Sequence, residues 1–456
     1  MTIQVVILAA GKGKRMYSAH PKVLHKLGGQ SLLERVIGVA EKVSIGASPI
    51  IIYGHQGDKL STALQHLTVR WVEQKEQLGT GHALLQALPE VKESDHVLIL
   101  YGDVPLISAQ TLKTLIETTP KNALGMLTAQ LENPTGYGRI KRNTAHEVIG
   151  IVEEKDATDQ ERLIKEVNSG IYFIPTTQLK KWLPTLKNHN AQQEYYLTDV
   201  IALANQEQIP VHTVTPLHHE EILGVNDRMQ LAHLERFYQR QQAERFMQQG
   251  VTIYDPARFD VRGEVTIGRD VTIDVNVILE GRVVIGNDCV IGPNCILREV
   301  ELGHHVQVKA NSLIEGARIA NECVIGPFAR IRPETILHAK SHIGNFVEIK
   351  KSVIGEGSKI NHLSYVGDSA VGKHVNIGAG TITCNYDGVS KHKTIIGDDA
   401  FIGSNTQLVA PVKVGAGATI GAGSTIVKDA PAHQLTLARA QQVTIENWER
   451  PKKGDF

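Results

Sequence analysis

From Ile267 to Asp429 the chain places an aliphatic residue, often followed by glycine, at every sixth position. The first register runs Ile267, Ile273, Leu279, Ile285, Ile291 and Leu297. After one dropped residue it resumes at Leu302, Val308 and Ile314, and further registers carry it to Ile426. An α-helix, with about 3.6 residues per turn, scatters such positions over different faces. A parallel β-helix keeps them together: each hexapeptide supplies a short strand and a corner, and three of them close one coil around a triangular core. A second position in the same frame, at Val271, Val277, Val283, Cys289 and Cys295, is kept small and also points inward. The second half of the chain is therefore expected to be a solenoid.

At 456 residues the chain exceeds what one hydrophobic core usually holds, so more than one domain is expected. Its 48 lysines and arginines balance 48 aspartates and glutamates, which gives nucleic-acid binding no global electrostatic support. No apolar run approaches the roughly 20 residues that span a bilayer, so no integral membrane segment is expected. The short basic stretch Arg450-Pro-Lys-Lys reads as a solvated end. The apolar start, Met1 to Gly11, lacks a basic leader and a small-residue cleavage site, and reads as a strand. Of the four cysteines, Cys289, Cys295 and Cys323 fall on the small inward position; Cys384 lies outside the frame. With no Cys-x-x-Cys pair, a reducing, cytoplasmic setting is the natural reading.

The first half alternates apolar strands with helical patterns, as an α/β sheet does. Strands are expected at Gln4–Ala9, Pro49–Tyr53 and His96–Tyr101, and helices near Leu32–Val43, Gly81–Leu88 and Ala109–Thr118. Asp227 to Gln249 reads as one long polar helix with Leu231, Leu234 and Tyr238 on one face, stopped at Gly250. The expected organisation is a Rossmann-like α/β domain over 1–227, a linker helix over 228–250 and a β-helix with a C-terminal tail over 251–456.

Two places carry chemistry. The first is the loop Leu8-Ala-Ala-Gly-Lys-Gly-Lys-Arg-Met16, followed by Pro21-Lys22. A glycine-rich turn after a strand exposes backbone N–H groups that cradle phosphate. It lacks the third glycine of the dinucleotide fingerprint, and Gly13-Lys14 is followed by Arg15 where a P-loop needs Ser or Thr. What remains is Lys12, Lys14, Arg15 and Lys22 beside two glycines, a charge density suited to a nucleoside triphosphate. A bare Gly-x-Gly is as often an ordinary turn; the basic density tips the reading.

The second is the break in the repeat at Thr383–Thr394, with a polar set around it: Arg332, Glu348, Lys350, Lys351, His362, Tyr365 and Asn376. Insertions in repeat arrays commonly sit on the binding face. Arg332, Lys350 and His362 follow an inward aliphatic by one or two positions and should point out of the coil. His362 by itself admits three readings: an exposed histidine, a metal ligand with His374 and His392, or a general base. Zinc-type spacing is absent.

The motifs also resemble a known family. Leu8-Ala-Ala-Gly-x-Gly-x-Arg-Met16 with Pro21-Lys22 looks like the signature of sugar-phosphate nucleotidyltransferases. Gln74, Gln77-Leu-Gly-Thr-Gly-His82, Tyr101-Gly-Asp-Val-Pro105, Pro134-Thr-Gly-Tyr-Gly-Arg139, Ile151-Val-Glu153, Asn168-Ser-Gly170 and Gly224-Val-Asn226 extend it. With the hexapeptide half, nearly the whole chain resembles the bacterial bifunctional UDP-N-acetylglucosamine pyrophosphorylase/glucosamine-1-phosphate N-acetyltransferases. Lys14 departs from the family's usual Thr or Ser.

The resemblance implies a UDP-N-acetylglucosamine site in the first domain. Leu8, Ala9, Ala10, Gly11, Gln74, Gly79 and Thr80 would hold the uridine nucleotide, and Lys22 its phosphate. Tyr101 and Gly102 belong to the same site, while Gly138, Glu153 and Asn168 would hold the N-acetylglucosamine part. Asp103 and Asn226 match the family's Mg²⁺ ligands, although Asp103 by itself is as readily a cap or turn residue. UTP is the implied co-substrate, with Arg15 and Lys22 the residues expected to act in uridylyl transfer.

In the second domain the pattern Lys359-x-x-His-Leu-x-Tyr-x-Gly-Asp368 places His362 at the family's general-base position, with Glu348 as its support. Arg332, Lys350, Tyr365 and Asn376 match the acetyl-acceptor sugar-phosphate site. Ala379, Asn385, Tyr386, Ser404, Ala422 and Arg439 match acetyl-CoA contacts. Cys384 reads as structural, since the reaction needs no acyl-enzyme. The resemblance also implies a left-handed coil, a homotrimer built through it, and a role in feeding peptidoglycan and lipopolysaccharide synthesis. The competing expectation is a single-function pyrophosphorylase whose β-helix is structural or regulatory.

Overall fold

The computed structural model describes residues 2–450 apart from 12, 55, 56, 92 and 93. Lys12 and the basic residues after Arg450 therefore lie outside the described residues. The chain divides into two compact units, Met1–Tyr238 and Gln239–Phe456.

The first unit is built on a nine-stranded sheet. Its central strand, Ile3–Ala9, has a parallel partner at each edge, Ile50–Tyr53 and His96–Tyr101, and is buried at every position because its alternate residues enter two apolar clusters, Ile3, Val5, Ile7 and Ala9 in one and Val6 and Leu8 in the other. A strand covered on both faces reads as a continuous apolar run, which is how the sequence presents it. Helix Leu32–Val43 begins with a reciprocal Ser31–Glu34 capping box, and Ala109–Thr118 is capped by the Ser108 hydroxyl. Strand Glu166–Pro175 is not among the strands that the pattern predicts. It runs antiparallel to both neighbours, His96–Tyr101 and Leu124–Gln130, and makes the sheet mixed.

The loops that leave the C-terminal ends of the central parallel strands gather at one edge of the sheet, where open α/β sheets place their ligands. Two glycines let them close. Gly13 has φ +57°, and a Cβ there would lie 2.7 Å from the Cβ of Lys22. Gly79 has φ +109°, and a Cβ there would lie 2.7 Å from the Tyr195 carbonyl oxygen.

Helix Arg228–Gln248 is close to the expected linker. In the first unit Leu231, Leu234 and Tyr238 pack with Met16, Leu27 and Val225. The division of the chain falls inside this helix: from Gln239 onward it belongs to the second unit, where the Gln239 carboxamide accepts from Val261 N at 2.7 Å and donates to Val261 O at 2.8 Å. The helix ends before Gly250, whose φ is +94°.

The second unit consists of parallel strands in two long sheets of 11 and 15 strands. Equivalent residues on neighbouring coils are 17 or 18 residues apart, three hexapeptides with an occasional deletion. The six-residue frame is the core: Ile273, Leu279, Ile285 and Ile291 are buried, as are Val271, Val277, Val283, Cys289, Cys295 and Cys323. The corners follow the same period in backbone conformation. Asp270, Asn276, Asp288, Asn294, His305 and Asn311 all take positive φ between 56° and 59°, a region that Asn, Asp and His tolerate best. Where Lys373 bonds the next coil, at Asp398, the spacing widens to 25 residues. The extra chain is the loop that breaks the repeat.

Candidate active sites

Two cavities open side by side at the edge of the first unit's sheet. The first, of about 460 Å³, is lined by the backbone turn Leu8, Ala9, Ala10 and Gly11, with Lys14 and Lys22, and by Gln74, Gly79 and Thr80. Gln77, quoted in a motif but given no role, and Glu194, outside every motif, line it as well. The Gln74 amide donates to Gly79 O at 3.1 Å, and Thr80 Oγ1 accepts from Leu197 N at 3.1 Å. These bonds fix the turn before helix Thr80–Ala87. The second cavity, of about 580 Å³, is lined by Arg15, Tyr137, Glu153, Ser169, Gly224 and Asn226, among others. Tyr101 and Asp103 line both.

Glu153 sits at the far side of the second cavity. Burial raises its carboxyl pKa, the neighbouring carboxylates of Asp156, Asp199 and Glu194 add to the rise, and the Thr198 hydroxyl, donating at 3.1 Å, opposes it. Gly138 packs so closely that a Cβ would lie 3.4 Å from the Glu153 carboxylate. Asn168 accepts from Gly170 N and from Tyr172 OH, each at 3.0 Å, so its carboxamide oxygen is spent inside the strand while Ser169 faces the cavity. Gly102 lies beneath, where a Cβ would come within 3.1 Å of Leu33. Burial pushes the Tyr101 phenol far above its ordinary range, so it stays neutral.

Where the cavities meet, Lys22 Nζ donates to Asp103 Oδ2 and, at 3.1 Å, to Asn226 Oδ1. The two acceptors are tied together by Val225 N, which donates to Asp103 O at 2.8 Å, and Asn226 N donates to Gln230 Oε1 at 2.7 Å. A carboxylate and an amide oxygen converging on one cation, here an ammonium, form a hard-oxygen donor set that fits Mg²⁺ with phosphates completing its shell. No group of three or more His, Cys, Asp or Glu poised to hold a metal occurs among the described residues.

In the second unit His362 is exposed, and its Nδ1 lies 2.8 Å from Asn345 Oδ1, the equivalent residue one coil earlier. Glu348, expected beside the imidazole, instead pairs with Arg332 at 2.8 Å. The difference follows from register: Asn345 and His362 are strand partners, whereas Glu348 aligns with Tyr365. The Lys350 ammonium lies close enough to Lys391 to repel it, holding the Lys391 ammonium below the usual lysine range. Two neighbouring ammoniums favour an anion between them, and Lys391 joins the candidate residues although no motif singles it out. The Asn385 amide donates to Asp368 Oδ2 at 2.5 Å and to Tyr365 OH at 3.4 Å. Within the inserted loop the Tyr386 hydroxyl donates to Gly388 O at 2.5 Å, and His392 meets Asp387 at 2.6 Å. Asn376 pairs with Lys359 in the sheet that carries His362, while Glu348 and Tyr365 lie in the other and Arg332 directly follows its strand Arg330–Ile331.

Further along the solenoid, Ala379, Ser404 and Ala422 stack as one column. Asn405 N donates to Ala379 O at 2.7 Å, Gly423 N to Ser404 O at 2.8 Å, and Arg439 crosses to Ala422 O at 2.9 Å.

The sequence profiles define a nucleotidyltransferase unit joined to a hexapeptide-repeat transferase unit. The sequence profile of the MobA-like NTP transferase domain matches residues 5–252, that of the GMPPB C-terminal domain residues 261–344, and that of the bacterial transferase hexapeptide (six repeats) residues 393–428. The bifunctional protein GlmU of Methylococcus capsulatus is 55% identical over 455 residues, covering 100% of this chain and 98% of its own. Those of Marinobacter nauticus and Aromatoleum aromaticum are 54% and 53% identical, each comparison covering 99% of both chains. The chain belongs to the GlmU family of bifunctional transferases, which combine a pyrophosphorylase with an acetyltransferase.

Proposed function

We propose that the two activities of this family, which together make UDP-N-acetylglucosamine, divide between the two units as their sites suggest. The second unit moves the acetyl group of acetyl-CoA to the amine of glucosamine 1-phosphate. The first joins the resulting N-acetylglucosamine 1-phosphate to the uridylyl group of UTP and releases pyrophosphate. The observation that carries this reading is the pair of adjoining cavities that share Tyr101 and Asp103, one beside the basic glycine loop and one reaching Glu153.

In uridylyl transfer the attacking sugar phosphate is already an anion, so no general base is required. Its oxygen bonds the α-phosphorus of UTP as the bond to pyrophosphate breaks, and catalysis reduces to alignment and charge neutralisation. The Leu8–Gly11 turn, Gln74, Gly79 and Thr80 seat the nucleotide; Gly138, Glu153 and Asn168 shape the sugar side. Arg15 faces the second cavity and Lys22 the first, so they neutralise the incoming and the bound phosphates. Mg²⁺, held by Asp103 and Asn226, would supply positive charge to the triphosphate.

In acetyl transfer His362 takes a proton from the sugar amine as its nitrogen attacks the thioester carbonyl, and returns it to the sulfur as the C–S bond breaks and CoA leaves as the thiol. Arg332, Lys350, Tyr365, Asn376 and Lys391 hold the sugar phosphate, with Arg332 leaving Glu348 for the phosphate. Ala379, Asn385, Tyr386, Ser404, Ala422 and Arg439 hold acetyl-CoA. A homotrimer formed through a left-handed β-helix completes these sites from neighbouring chains, in the cytoplasm, and the product feeds peptidoglycan and lipopolysaccharide synthesis. Running each half-reaction separately tests the division. Asp103→Ala should abolish uridylyl transfer and spare thiol release from acetyl-CoA; His362→Ala should do the reverse. Loss of both reactions in either variant would refute it.

A further inference from the structure

Lys22 is nine-tenths buried, with a side-chain exposure of 10%, and its ammonium touches both oxygens that the proposed function assigns to the metal. We infer that Lys22 is the resident cation of the uridylyl-transfer site: without nucleotide its ammonium holds the place between Asp103 and Asn226, and only the phosphates of UTP draw it out so that the metal can enter. This rests on reading Asp103 and Asn226 as the metal ligands.

An ammonium and a divalent cation cannot share one carboxylate oxygen, because they repel at contact distance in a site where water screens little. One must leave. The acceptors are fixed, since Asp103 and Asn226 are bound through their backbones to Val225 and Gln230. Lys22 is the movable partner, a flexible side chain whose Cβ packs on Gly13 and which already lines the nucleotide cavity. A phosphate arriving there offers the ammonium a new anion within reach of a side-chain rotation, and the vacated oxygens then face the metal. The lysine thus spares Asp103 from standing as a partly buried unpaired charge in the empty enzyme, and it couples the two ligands: each tightens the other by the same factor.

The test uses the full-length protein and Mn²⁺ alone as probe, followed by electron paramagnetic resonance, with and without UTP. Lys22→Met should bind Mn²⁺ without nucleotide about tenfold more tightly than wild type, and UTP should improve its Mn²⁺ affinity by less. Lys22→Gln is the second variant should the first fail to fold, and unchanged acetyl transfer by the second unit reports an intact chain. Equal Mn²⁺ affinity of wild type and the Lys22 variants in the absence of nucleotide overturns the inference. Adding Asp103→Asn to a Lys22 variant separates the two readings: loss of Mn²⁺ supports both, whereas persistent tight binding means that the metal-ligand assignment itself is wrong.

Discussion

Asn345 and His362 lie one coil apart on the solenoid, with Asn345 Oδ1 2.8 Å from His362 Nδ1. An amide oxygen there accepts from Nδ1–H, which leaves the Nε2 lone pair facing outward as a base requires. Replacing Asn345 by Ala should lower acetyl transfer about fivefold, the worth of a hydrogen bond of ~1 kcal/mol. Asn345→Asp should move the acid limb of the pH–rate profile upward, because a carboxylate favours the imidazolium. An unaltered rate and profile in both variants would remove Asn345 from the mechanism.

Arg15 lines the second cavity, whereas its neighbour Lys14 lines the first with the Leu8–Gly11 turn. Arg15→Ala should therefore reduce uridylyl turnover by roughly 10²- to 10³-fold, the usual loss of a transition-state charge contact, while leaving UTP binding nearly unchanged. Steady-state kinetics paired with direct UTP titration decides this, and unchanged turnover would sink the assignment.

The last coil depends on the tail. Thr419 N donates to Gln434 O at 2.9 Å, Gly421 N to Thr436 O at 3.0 Å, and Arg439 reaches Ala422. Truncation before Gln434 strips these partners from the Ala422 column and should cripple acetyl transfer while sparing uridylyl transfer. Equal loss of the two rates would point to general misfolding instead.

His96 stacks on Phe173 with ring centroids 4.4 Å apart, and burial lowers its pKa from 6.5 despite the opposing charge of Asp95. The unfolded chain then binds the proton that the folded chain refuses, so this contribution to stability is complete above the unfolded pKa and falls as pH drops through the folded one. Thermal unfolding of the full chain should shift downward between about pH 7.5 and 5.5, and His96→Phe should shrink that shift. His25 and His342, also lowered by burial, leave a remainder. A shift of the same size in the variant would exclude His96 as a source.

Helices Leu32–Val43 and Ala109–Thr118 and strand His96–Tyr101 were legible because their apolar period is uninterrupted and their ends carry caps or polar breaks. Strand Glu166–Pro175 was not: Asn168, Ser169 and Gly170 interrupt it, and its register shifts between Asn168 and Tyr172. Asn345 could have been found by counting one 17-residue coil back from His362. Lys391 could not, since it lies in the inserted loop, where the six-residue frame offers no register.

Burial and backbone periodicity are written in local spacing, so the solenoid, its inward residues, the α/β character of the first unit and the basic glycine loop can be read along the chain. Which polar groups meet emerges only in the folded chain: Lys22 with Asp103 and Asn226, 81 and 204 residues away, Arg332 with Glu348, and Lys391 against the like charge of Lys350. Such partners depend on where separate loops and coils converge, and no local period encodes that.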